Sequence, residues 1–72
     1  MDNEKKIKLL EETFEVDEGS LYPEMELDAL DNWDSMTKLA LIVMVENEFG
    51  IVLSGETIRS FNNISDILYQ MQ

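Results

Sequence analysis

The sequence contains no cysteine and no histidine, and these two absences close off several chemistries. Disulfide stapling and thiolate metal sites require cysteine, and the usual zinc site requires cysteine or histidine. Without either residue there is no Ser-His or Cys-His pair to activate a nucleophile, which removes most hydrolytic mechanisms. Basic residues are scarce as well: five Lys and Arg stand against 16 Asp and Glu, for a formal charge of −11. Such a surface repels nucleic-acid phosphates and anionic lipid, and it attracts basic protein surfaces. Nucleic acid and membrane are therefore not the expected partners. The longest unbroken apolar run, Leu39 to Val45, is far too short to cross a bilayer. The opening "MDNEKKIKLL" has no signal-peptide pattern, so the expected compartment is the cytoplasm.

What remains is a chain of 72 residues, enough for one domain over 1–72. A chain of this length buries only about 60% of its unfolded surface, so the core must be small and economical. At 44% hydrophobic residues the composition is that of a globular protein. No linker composition flanks the domain, and a stand-alone monomer is expected.

Helical spacing appears first at Ile7, Leu10 and Phe14, with Lys5, Lys6, Lys8, Glu11 and Glu12 on the other faces. Asp2 or Asn3 suits the N-cap of this helix, and Glu4 suits its positive end. From Val16 to Asp34 periodicity lapses and Gly19, Ser20 and Pro23 intervene, which predicts a long loop. Its hydrophobes Leu21, Met25, Leu27, Leu30 and Trp33 are expected to tie it to the core. Loops of this length inside a compact domain are usually functional or disordered, and these hydrophobes favour function. Residues 35–49 predict the longest helix, with Leu41, Ile42, Val45 and Phe49 on one side and Gly50 as a left-handed stop.

"SGETIRSF" predicts a short helical turn capped by Ser54, with Ile58 and Phe61 pointing inward. Asn63 and Asp66 have the spacing of a capping box for a last helix bearing Ile64, Ile67, Leu68 and Met71. No segment alternates at period two, so strands are not expected. The predicted fold is all-α: a small four-helix bundle, three main helices and one short, with a long loop between helices one and two. Ile7, Leu10, Phe14, Leu41, Ile42, Val45, Phe49, Ile64, Ile67 and Leu68 are its predicted core.

The chemistry concentrates at "DSM", residues 34–36, where one serine stands at the threshold of the longest helix. A helix N-terminus offers free amides and a partial positive charge, so an anionic group is well placed there. Asp34 is a natural cap. Together with the helix ending "ENEFG" at 46–50 and the following "IVLSGETIRSFNNISDIL", this stretch resembles the acyl carrier and peptidyl carrier proteins. With the first helix and the acidic loop, the resemblance extends over essentially the whole chain. It implies that a phosphopantetheinyl transferase moves 4′-phosphopantetheine from coenzyme A onto the Ser35 hydroxyl. It also implies a supporting role for Asp34, which would help hold the metal ion used in loading. The partners implied are that transferase and the enzymes that load and transfer acyl or aminoacyl groups. The chain itself would be a carrier and not an enzyme, since the reactive thiol belongs to the prosthetic group.

Met36, Ala40 and Val43 form an apolar strip on the solvent side of the same helix, beside Ser35, and are predicted to dock partner enzymes; the alternative is that the strip packs under the long loop. Methionine suits a surface that must fit several partners in turn. Trp33 is either a loop anchor or part of the partner surface, and the anchor is the expected role because indole rings usually bury most of their area. Asp28, Asp31 and Asp34 recur every third residue, which does not match a calcium loop, and no metal site is predicted. Lys38 falls on the core side of its helix, so its stem should reach toward the loop and leave its ammonium in water.

Fatty-acid-synthesis carriers typically stud the second helix with acids. Here its early positions are Thr37, Lys38 and Ala40, and acids return only at Glu46 and Glu48. Trp33 stands where glycine or leucine is common before the Asp-Ser pair. These departures point to a specialised polyketide, nonribosomal peptide or aminoacyl-transfer pathway. The competing reading is a small acidic helical adaptor that binds a basic protein without any prosthetic group.

Overall fold

A computed structural model describes residues 2–71. Four α-helices follow one another: α1 (Asn3–Phe14), α2 (Ser35–Phe49), α3 (Gly55–Arg59) and α4 (Ile64–Gln70), with a short 3₁₀ turn at Leu27–Ala29. No sheet strand forms among the described residues; one isolated antiparallel bridge joins Glu26 to Asn63. The fold is the all-helical bundle predicted from sequence.

Each helix begins where a short polar side chain can take up a free amide. Asp2 accepts from the Lys5 amide, Asp34 from Thr37, Ser54 from Thr57 and Asn63 from Asp66. The Asn63–Asp66 pair forms the complete capping box. Gly50 ends α2 in the left-handed region at φ 68°. Helix α1 stops the same way, but on Glu15 at φ 57°, a conformation that costs a side chain more than it costs glycine.

Leu10, Phe14, Leu41, Val45, Ile64, Ile67 and Met71 are fully buried where α1, α2 and α4 meet. Leu27 from the loop joins them, with Leu21, Leu53, Ile58, Phe61 and Leu68 nearly as deep. Three predicted core residues, Ile7, Ile42 and Phe49, are only partly buried and pack on its margin.

The connection from α1 to α2 is long but well held. The Leu27 amide donates to the Asn62 carbonyl at 2.9 Å. In return, the Ile64 and Ser65 amides donate to the carbonyls of Met25 and Pro23 at 2.9 and 2.8 Å. The first free amides of α4 are thus satisfied by the loop, which ties the middle of the chain to its last helix.

Two charged residues depart from the expected outward orientation. Lys6 and Glu11 are buried, at 9% and 4% exposure. Lys6 stands on the same four-residue row as Leu10 and Phe14, so α1 carries its stem against the core. Glu11 turns inward because the loop brings two amides to it: its Oε2 accepts from Gly19 at 2.8 Å and from Leu21 at 3.1 Å. Those bonds offset the desolvation of the carboxylate and close the first turn of the loop onto α1.

Candidate functional site

The loop reaches α2 through a fastened end. The Asn32 side-chain amide donates to the Phe14 carbonyl at 2.6 Å, which caps the last turn of α1 from outside. Trp33 meets the buried Phe14 ring edge to face, centroids 5.7 Å apart and planes at 70°. This is a favoured aromatic geometry, and it makes Trp33 the loop anchor that the sequence predicted. Asp34 then takes an extended conformation, φ −115° and ψ −177°, and the chain turns into α2.

Asp34 has two bonds to that first turn. Its Oδ1 accepts from the Thr37 amide at 3.0 Å, and its carbonyl accepts from the Lys38 amide at 3.0 Å. The Thr37 amide is the largest influence holding the Asp34 carboxyl below its ordinary value of 3.8. Desolvation, the next largest influence, opposes it, and the Thr37 hydroxyl and Met36 amide lower it further. Asp34 is therefore an anion at neutral pH and a weak base, committed to capping.

Ser35 is the first residue of the 15-residue α2 and is exposed to solvent. No side-chain hydrogen bond engages its hydroxyl among the described residues. Around that oxygen lie the positive end of the helix on one side and open solvent on the other. The site has room for a phosphodiester on Ser35, and the local field favours one.

Beyond Ser35, α2 displays apolar side chains to water. Met36 is 82% exposed and Val43 50%, while Ala40 is half-buried between them. Leu39, at 61% exposure, belongs to the same strip, although the sequence reading passed over it. The signal was present, since Leu39 stands three residues from Met36 and four from Val43. These four side chains line a shallow groove of about 630 Å³, completed by Met44, Asn47 and Glu48 of α2 and by Thr13 of α1. No residue of the α1–α2 loop lines it, so the strip does not pack under that loop.

The Lys38 stem runs toward the loop, and its ammonium lies over the Trp33 ring, with Nζ 5.3 Å from the centroid. The indole face attracts the cation there.

No protein-family model matches the sequence, and no curated protein does either. Solved structures with a similar fold include the solution NMR structure of a holo acyl carrier protein from Geobacter metallireducens. The two are 22% identical, and the match covers 99% of this chain and 83% of that one at a TM-score of 0.77. The chain therefore has the acyl-carrier-protein fold.

Proposed function

We propose that this chain is a carrier protein whose prosthetic group, 4′-phosphopantetheine, is joined to Ser35. The observation that carries the reading is the placement of Ser35: an exposed hydroxyl on the first residue of α2, in a fold shared with a holo acyl carrier protein. When bound, the group supplies a terminal thiol that carries acyl or aminoacyl groups as thioesters.

The chain's own residues contribute position and charge. In loading, Ser35 Oγ forms the new bond to phosphorus, the phosphoanhydride of coenzyme A breaks, and adenosine 3′,5′-bisphosphate leaves. The serine proton must pass to a base of the transferase. The chain offers none, because it has no histidine and Asp34, its pKa lowered, is a poor acceptor. Asp34 instead fixes the first turn and adds negative charge where the transferase brings its metal ion. Met36, Leu39, Ala40 and Val43 offer partner enzymes an apolar contact next to the attachment point. The net negative charge of the chain steers basic partners.

The departures of α2 from the acid-studded pattern, at Thr37, Lys38 and Ala40, favour a specialised pathway over housekeeping fatty-acid synthesis. In this reading the carrier is non-catalytic, acts as a monomer and works in the cytoplasm.

Incubation with coenzyme A and a broad-specificity phosphopantetheinyl transferase, read by intact mass, tests the assignment. One phosphopantetheine should be gained, and none in Ser35→Ala. No gain in the unaltered chain, or a gain that persists in the variant, would leave the acidic-adaptor reading in its place.

A further inference from the structure

Between Lys8 and Arg59 the chain has a single basic residue, Lys38. It lies in the first turns of α2, half-buried, three residues beyond Ser35. Side chains three apart on a helix are neighbours, with about 5–6 Å between their Cβ atoms. The flexible four-carbon stem of lysine can therefore bring its ammonium to an anion held on the Ser35 oxygen.

The present partner of that ammonium is the Trp33 indole, 5.3 Å from Nζ to the ring centroid. Of the two, the indole is the fixed part. Its edge-to-face contact with Phe14 and the Asn32 bond to the Phe14 carbonyl hold the ring against a side chain that is fully buried. Among the described residues, no hydrogen bond restrains the Lys38 ammonium in a comparable way. A phosphate oxygen also offers the ammonium a short charge-assisted hydrogen bond, which a ring face does not.

We propose that Lys38 binds the phosphate tethered at Ser35, and that it leaves the Trp33 face to do so. The proposal rests on the attachment at Ser35 argued above. Unloaded, the ammonium covers the indole. Loaded, it pairs with the phosphodiester, and the indole face is uncovered beside the arm. The pair then distinguishes the two forms of the carrier, and partner enzymes meet a different surface on each. In a chain of charge −11, this lysine is the group that offsets the added anion at the point of attachment.

The test is NMR of the whole chain before and after loading, at loading verified by intact mass. In the unloaded protein the Lys38 ε-methylene protons should be shielded by the indole face. On loading they should lose that shielding, and the Trp33 indole N–H resonance should move with them. At equal mass-verified loading, Lys38→Gln should show less than half of the indole shift, and Lys38→Arg should restore it. Complete mass gain with the Lys38 protons still shielded would overturn this proposal and leave the carrier reading intact. Absence of any mass gain would overturn both.

Discussion

The Glu11 carboxylate, on α1, accepts the Leu21 amide of the following loop at 3.1 Å, and both groups are buried. The same oxygen accepts the Gly19 amide at 2.8 Å. An acid in the interior is here the fastener of the segment that leads toward Ser35.

Replacing Glu11 with alanine should leave the Leu21 amide buried and unpaired, at a cost of roughly 1–3 kcal/mol. Glu11→Gln keeps an acceptor oxygen at the site and should lose much less. Urea unfolding of the three proteins measures the difference. Equal stability in all three would mean that the loop needs no such fastener.

Ser35→Ala should abolish loading yet change stability by no more than about 0.5 kcal/mol, because the side chain is exposed and, among the described residues, no side-chain hydrogen bond engages its hydroxyl. Thermal melting beside intact mass separates the two effects. A large drop in melting temperature would show that the serine is structural.

The Asp34 carboxyl titrates below its ordinary value of 3.8, chiefly because its charged form accepts the Thr37 amide. Stability from this cap is therefore complete above that ordinary value and is lost as pH falls through the lower, folded value. The Thr37 amide resonance should follow the same titration. In Asp34→Asn the cap should persist while this acid-range dependence disappears. A Thr37 resonance that titrates at or above 3.8 would contradict the geometry.

Two helix ends give opposite expectations for glycine. Gly50 sits at φ 68° with open space around it, so Gly50→Ala strains the backbone without a clash and should destabilise by roughly 1 kcal/mol. Glu15 occupies the equivalent left-handed position at φ 57° and adds negative charge at the negative end of α1. Glu15→Gly should stabilise, by roughly 0.5–1 kcal/mol. Denaturant midpoints of both variants check the pair of signs.

With 16 acids against five basic residues, repulsion opposes the folded state at low ionic strength. Added salt should screen it and raise the melting temperature. A melting temperature indifferent to salt would mean that the carboxylates are spaced too widely to matter.

The sequence by itself determined what depends on a few neighbouring residues. The caps at Asp34, Ser54 and Asn63, the stop at Gly50 and the inward rows Leu10–Phe14 and Leu41–Val45 all lie within one or two helical turns. Side-chain chemistry and the helical repeat are enough to read them. The exposed position of Ser35 follows from the same local rule, since the start of a helix exposes its first side chain.

Only the tertiary structure decided the rest. A helical wheel registers whether a residue is polar, not which amides a distant segment will bring to it. Glu11 is therefore indistinguishable in sequence from the solvated Glu12 beside it, and turns inward only because Gly19 and Leu21 arrive. Likewise, the Met25 and Pro23 carbonyls find α4 across some 40 residues of chain, a pairing that no local pattern encodes. The stacking of Lys38 on Trp33 belongs to the same class, because the fold must first hold the indole on Phe14 before its face can receive a cation. That Thr13 of α1 joins the α2 strip in lining one groove is likewise settled only by how the two helices pack.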